Sequence, residues 1–424
     1  MQRGNMKIVQ IHAGLKENSS PHRIARALMH AGANPKMLVK ETKLSAKYII
    51  KLKESFRFKI LRKLDHILLK RELNKKYQIN ENIPFSYYRV GMPIYREKLV
   101  READLIILHW VCGTYLSVRG IKRILALNKP VLMVCHDSWF FTGGCHVRLG
   151  CKKYTEHCYA CEQLKSKKRY DWSYKLFEAK RNFFKADNLT IISPSSWMDR
   201  SVAESRIFRN HKHYIIPNPI DASLYYPSDK NSKRDMYNIS NDNYIMIFGA
   251  VNAVTTPYKG YRQLIAALDV LESKISENKK VEILVFGSDT GDKRHDKKIR
   301  IRYMGYLSET QMIDIYNCAD VYVMPSLDDN FPCTILESLA CETPVVAYDT
   351  GGICDMIRHK ENGYLSKFND PDDLAEGILW VMEHNKNNYL GKNGRKTVLE
   401  KFSEEVVAGM YLKVIEDVIK MDSM

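Results

Sequence analysis

The sequence predicts an α/β protein built from two Rossmann-like, doubly wound domains. Three observations predict it. Short apolar runs alternate with helix-like stretches, that alternation occurs twice, and a Pro-Asn-Pro punctuation at residues 217–219 separates the two rounds. The 424 residues also exceed what one core ordinarily serves.

The elements follow in order. "MKIVQIH" (6–12) reads as a strand, and "RIARALMHAG" (23–32) as a helix with Gly32 placed as its C-cap. "ADLIILHW" (103–110), "KPVLMVCHD" (129–137) and "NLTIISPSS" (188–196) are apolar runs that end in polar residues, the pattern of buried parallel strands. "HYIIPNPID" (213–221) carries the linker. The second round then begins with "NYIMIFGAV" (243–251), a helix over "KGYRQLIAALDVLESK" (259–274) and a strand over "VEILVFGSD" (281–289). "IRYMGYLS" (301–308), "ADVYVMPS" (319–326) and "TPVVAYDTGG" (343–352) continue it. Residues 402–424 form a final amphipathic helix. The expected domains are therefore 1–216 and 217–401, with the final helix returning to the first.

Composition narrows the class. Apolar residues make up 45% and charged residues 27%, both ordinary for a globular chain. No apolar run approaches the roughly 18 residues that a spanning helix needs. The first apolar run is too short for a secretory signal, so the expected location is the cytoplasm, at most peripheral on the inner face of the membrane. The formal net charge is +17, and residues 36–80 hold fourteen Lys and Arg against four Asp and Glu. In that segment Ile49, Leu52, Phe56, Ile60, Leu64, Ile67 and Leu68 recur at helical spacing. The apolar face of this basic helix either covers its own domain core or docks on anionic lipid, with residues 44–72 as the contact. No nucleic-acid-binding signature accompanies the charge, and nucleic acid is not an expected partner.

The chemistry concentrates in "DDNFPCTILESLACETPVV" (328–346). Ligands of open α/β sheets sit beyond the carboxyl ends of strands. Here "ADVYVMPS" is the strand, "LDDNFP" the loop and "CTILESLAC" the helix. A helix start facing a crevice offers N–H groups and the positive end of a dipole to a phosphate. Cys333 and Thr334 are the first donors, Glu337 can accept from a vicinal diol, and Asp329 can bind a second sugar. Alternatively, Asp329 caps the helix and Glu337 is a solvated helix residue. The adjacent acids Asp328 and Asp329 are not read as a metal site.

Those residues, followed by "TPVVA" (343–347), resemble the acid-x7-Glu signature of retaining glycosyltransferases of family 4. "IIPNPID" (215–221), "SPSSW" (193–197), "KG" (259–260) and "MGYL" (304–307) are similar to further segments of that family. "CHDSWFFTGGCH" with the cysteines after it resembles a branch that builds bacterial exopolysaccharide, capsule or O-antigen. The likeness covers nearly all of the chain except about 36–90. It implies the GT-B fold, two Rossmann-like domains facing across a cleft, with the acceptor on the first and a UDP- or GDP-sugar on the second. The implied acceptor is a saccharide or a lipid-linked saccharide.

The resemblance also implies roles. Glu337 would hold the nucleotide ribose, and Asp329, where most of the family has Glu, the hydroxyls of the transferred sugar. The backbone of Asn330, Phe331, Pro332, Cys333 and Thr334 would cradle sugar and diphosphate. Lys259 would neutralise the diphosphate, His136 would face the donor sugar, and Tyr306 and Leu307 would lie beside the base. Gly14 and Gly287, in loops after strands, join the donor-binding set. Ala250 stands where the family usually has Arg, and Arg262 is taken as the second basic group. Transfer then needs charge stabilisation on the leaving diphosphate, which a lysine and a helix mouth supply without a metal cofactor. A retaining hydrolase would need two carboxylates flanking the bond, and both acids are already assigned to hydroxyls. The alternative is a non-catalytic carbohydrate- or membrane-binding protein on the same scaffold.

Ten cysteines are present, four of them close together as Cys145, Cys151, Cys158 and Cys161. In a cytoplasmic chain such a group suggests a structural zinc, reduced thiols in a packing role, or redox use.

Overall fold

Residues 6–78, 82–87, 89–291 and 298–422 are described by the structure, a computed structural model. Seven strands of the first part of the chain form one parallel sheet in the order β3-β2-β1-β4-β5-β6-β7. They are β1 Ile8–Leu15, β2 Lys36–Thr42, β3 Ile49–Lys51, β4 Leu105–Leu108, β5 Val131–Val134, β6 Leu189–Ser193 and β7 Lys212–Ile215. Six more strands form a second parallel sheet in the order β10-β9-β8-β11-β12-β13. They are β8 Tyr244–Gly249, β9 Val281–Phe286, β10 Ile299–Gly305, β11 Val321–Met324, β12 Val345–Tyr348 and β13 Gly363–Ser366.

The helices of the first part are α1 Ser20–His30, α2 Phe56–Lys76, α3 Lys98–Arg101, α4 Val118–Leu125, α5 Trp172–Phe183 and α6 Ser196–Glu204. Those that follow are α7 Lys230–Met236, α8 Tyr261–Lys274, α9 Glu309–Cys318, α10 Cys333–Ala340, α11 Pro371–His384, α12 Tyr389–Lys401 and α13 Glu404–Asp422. Residues 423 and 424 of the expected final helix lie outside the described residues.

The chain divides into two compact units, Met1–Pro219 with Glu404–Met424, and Ile220–Ser403. In each unit the central strands are buried on both faces, which is why they read as unbroken apolar runs. Successive residues serve opposite layers. In the first unit Ile8, Leu105, Ile107, Leu132 and Val134 meet α1 and α13, while Ile11, Ile106, Leu108 and Met133 meet the layer that contains α4 and α5. In the second, Ile245 and Ile247 meet the layer of α9, α10 and α12, while Met246 and Phe248 meet that of α8 and α11. The expected pair of doubly wound α/β folds is the observed one.

Gly32 ends α1 as expected: it follows the cap residue Ala31 with φ +84, and the N–H groups of Gly32 and Ala33 bond back to Met29 O and Leu28 O. Two local expectations differ. Residues 36–55 are not helical, because Met37, Leu38 and Val39 pair with β1 and Ile49 pairs with β2. The basic helix is α2 alone, and the stripe picked out by sequence periodicity is not its buried face. Phe58, Leu69 and Leu73 are buried, whereas Phe56, Ile60, Leu64, Ile67 and Leu68 are exposed.

Candidate active site

Strand order places the candidate loops. The second sheet reverses direction of growth between β8 and β11. Loops that leave adjacent strands at such a switch point run to opposite faces and leave a crevice for ligands. Lys259 ends the connection after β8, and Asp329 lies in the connection after β11. Their side chains meet, with Lys259 Nζ 2.6 Å from Asp329 Oδ2. Burial pulls the Lys259 ammonium down, but the Asp329 carboxylate outweighs it and holds the amine above its ordinary value. The two loops are also laced by Leu327 N–H donating to Tyr258 O at 2.8 Å.

Two glycines allow this approach. Gly260 has φ +79, and a Cβ there would stand 1.8 Å from Pro325 O. Gly351 has φ +59, and its Cβ would stand 1.9 Å from Asp329 O. No other residue fits either place without moving backbone.

Past Asp329 the chain turns inward. Asp328 and Asn330 are buried, and the Phe331 ring packs edge-on against Phe402 at 5.7 Å. Pro332 occupies the cap position of α10 without a side-chain cap hydrogen bond, and Cys333 and Thr334 form the first turn. Thr334 Oγ1 accepts from Tyr322 at 3.0 Å. Asp329 is therefore not the helix cap, since its carboxylate is turned to Lys259. Nor is Glu337 a solvated residue: it is 8% exposed, and its Oε2 accepts from Tyr316 at 2.8 Å. Burial, and then the Glu337 carboxylate, push the Tyr316 phenol well above its ordinary value, so it remains a donor.

Tyr306 follows β10, is 62% exposed, and donates to Asn252 Oδ1 at 2.6 Å in the loop after β8. Leu307 packs partly on the core. Gly287 follows β9 with φ +78 and accepts from Asn252 N–H at 3.0 Å. Arg262 is exposed on the first turn of α8. Tyr258, Asn252 and Tyr316 were not foreseen; a tyrosine or asparagine in a loop or on a helix carries no signature until the fold supplies its partner.

The first unit assembles a different group. His136 lies just after β5, and its Nε2 is 2.9 Å from His109 Nδ1. His109 Nε2 is 2.9 Å from Gln10 Oε1. The rings of His109 and His12 stand edge to face at 6.3 Å. These residues belong to three neighbouring strands or the turns that follow them. Burial pulls His12 down to about 4 and His136 down to about 3, and it holds His109 well below the usual range. All three imidazoles are neutral near pH 7. The signal for the other two was present, because "MKIVQIH" and "ADLIILHW" reach a histidine where "VLMVCHD" does. Gly14 lies on exposed β1 backbone, and no neighbour within 4 Å would meet a Cβ there.

Cys145, Cys151, Cys158 and Cys161 line one cavity of about 230 Å³ in the first unit. All four are free thiols. Burial pushes Cys145 up to about 12 and raises Cys158 and Cys161 as well. Among the described residues no three His, Cys, Asp or Glu side chains form a group that could hold a metal ion.

Residues 229–397 match the family model of glycosyl transferases group 1. The chain is 25% identical over 345 residues to the uncharacterized glycosyltransferase MJ1607 of Methanocaldococcus jannaschii, a match over 78% of this chain and 86% of that one. It is 24% identical over 234 residues to the capsular polysaccharide biosynthesis glycosyltransferase CapM of Staphylococcus aureus, over 51% of this chain and 58% of CapM. Anabaena HepE, solved in complex with UDP-glucose, superposes with a TM-score of 0.60 at 15% identity, over 97% of this chain and all of that one. That likeness concerns the fold. Residues 229–397, which carry the Lys259–Asp329 pair and the mouth of α10, thus resemble a glycosyl transferases group 1 domain, in a chain with the GT-B fold.

Proposed function

We propose that the chain is a retaining, metal-independent glycosyltransferase. It moves a sugar from a UDP- or GDP-sugar to a saccharide or lipid-linked saccharide in bacterial surface polysaccharide synthesis. One observation carries the reading: Lys259 and Asp329 meet at 2.6 Å at the switch point of the second sheet, in the loop that leads into α10. An ammonium and helix N–H groups at one place are what a leaving diphosphate requires. CapM supports the polysaccharide assignment, and the HepE complex supports a uridine nucleotide.

In this reading the C1–O bond to the diphosphate breaks while the acceptor oxygen bonds C1 on the same face. The acceptor proton passes to the departing phosphate oxygen. Lys259 and the first N–H groups of α10 take up the growing negative charge. Asp329 exchanges part of its contact with Lys259 for hydroxyls of the sugar. Glu337, held by Tyr316, accepts from the ribose diol, Tyr306 lies along the base, and the neutral His136 hydrogen-bonds a sugar hydroxyl.

A panel of UDP- and GDP-sugars tests the reading through thermal stabilisation and slow donor hydrolysis. Stabilisation and hydrolysis by one donor, both lost in Lys259→Ala, are expected. Removing one such charge-stabilising group costs about 3 kcal/mol, a hundredfold or more in rate. Stabilisation without turnover for any donor would point instead to a binding protein. Full turnover in Lys259→Ala at saturating donor would overturn the site.

A further inference from the structure

Helix α2 has two apolar faces, and only one is used by the fold. On the inner face Phe58, Leu69 and Leu73 are buried. Asp65, also buried, accepts from Arg89 Nε at 3.0 Å, and the Arg89 guanidinium lies 5.6 Å from the centre of the Trp172 ring. These contacts fix the orientation of the helix on the first unit. At 100° per residue the opposite sector carries Phe56, Ile60, Leu61, Leu64, Ile67 and Leu68. They are 77%, 44%, 55%, 52%, 48% and 57% exposed, so a continuous apolar stripe faces away from the protein.

The charges around the stripe have one sign. The helix holds eight Lys and Arg and two acids. Both acids are engaged: Asp65 is buried on Arg89, and the half-buried Glu72 pairs with Lys76 at 3.1 Å. Lys59, Lys63 and Lys70 are exposed along one edge of the stripe, and Arg57 and Arg71 are exposed at its two ends. From residue 42 to residue 71 no exposed residue is acidic, and Glu54 is tied to Arg62 at 3.1 Å.

We propose that this face of α2 docks on the surface of an anionic lipid bilayer, with the helix lying in the interface plane. The apolar stripe enters the boundary between head groups and acyl chains, while the lysines and arginines pair with head-group phosphates. Charge selects this occupant. A second copy of the chain seated two-fold on the same stripe would bring like charges together, and a nucleic acid would leave six apolar side chains unused. No helix among the described residues is long and apolar enough to cross a membrane. The inference goes beyond the transfer reading, and its test uses neither donor nor acceptor.

The experiment is vesicle flotation of the full chain. One set of vesicles is phosphatidylcholine alone, and the other contains phosphatidylglycerol as well. Binding to the anionic set only is expected, with most of it lost near 0.5 M salt, where screening is short-ranged. Ile60→Ser/Leu64→Ser/Ile67→Ser should weaken binding about tenfold or more. Lys59→Gln/Lys63→Gln/Lys70→Gln should weaken it on the order of a hundredfold. Circular dichroism should show both variants folded, because every altered side chain is exposed. If a variant misfolds, the lipid and salt dependence of the wild type decides alone. No binding to anionic vesicles, or equal binding by folded variants, overturns the proposal. So does self-association that the serine variant abolishes in a chain without lipid affinity.

Discussion

His109 has a partner on each ring nitrogen, Gln10 at one side and His136 at the other, both at 2.9 Å. A neutral imidazole with two such partners has its tautomer set by them, and so sets which nitrogen of His136 carries the proton. In the proposed transfer reaction His109 would be a positioning residue, acting through His136. His109→Phe should lower kcat about tenfold, the worth of a neutral hydrogen bond, with KM for the donor little changed. A purely structural role would instead lower the thermal midpoint and leave kcat per folded molecule intact. The same trio gives an acid limit. His12 and His136 are depressed from 6.5 to about 4 and about 3. Their neutral, buried forms therefore contribute stability that is fully present above pH 6.5 and lost as pH falls through those values. A thermal midpoint measured from pH 7 down to pH 4 should fall, and His12→Gln should flatten that fall. A variant curve parallel to the wild type would remove His12 from the account. Glu337 and Lys259 were legible as candidates because acid spacing and a Lys-Gly pair survive in sequence. Tyr316, which holds Glu337, and Asn252, which holds Tyr306, were not, since strand order alone brings them near.

Turns and helices show the same division. Buried parallel strands such as β5 and β11 announce themselves, because both faces need apolar side chains. The edge strand β7, Lys212–Ile215, does not; it is polar and half-exposed, so its residues read as linker. In α2 the periodic apolar stripe was legible, but which face the domain covers depends on Arg89 and Trp172, distant in sequence. The short turn that ends in Lys259 is held by Gly260, whose φ of +79 and closeness to Pro325 O leave no room for a Cβ. Gly260→Ala should therefore cost at least about 1–2 kcal/mol for the left-handed backbone alone. It should also shift Lys259 from Asp329 and weaken nucleotide-sugar binding, as read by titration calorimetry on the folded variant. Unchanged affinity would show that the turn does not set the lysine.

At the scale of the whole chain, the two units are unequal in their continuity. The second is one uninterrupted stretch whose ends meet: Ile220 N–H donates to Phe402 O at 2.9 Å, and Ile220 bridges Ser403. Lys259, Asp329, Tyr306 and Glu337 all lie inside it. The first unit is completed only after the second has been threaded, by α13. Val407, Tyr411, Leu412, Val414, Ile415 and Val418 of that helix are buried in one cluster with Ile8, Ile24 and Leu28. Glu404 pairs with His30 at 2.7 Å and with Arg26 at 3.4 Å. Six buried apolar side chains at about 1.5–3 kcal/mol each are comparable to the whole stability of a domain. Removing residues 404–424 should accordingly unfold the first unit and leave the second intact. Residues 220–403 expressed alone should give a cooperative melt and still be stabilised by the nucleotide portion of the donor. A truncated chain that keeps the full two-unit hydrogen-exchange protection would contradict the role given to α13. A fragment 220–403 that melts cooperatively but ignores every nucleotide would leave the fold argument standing and remove the donor site from the second unit.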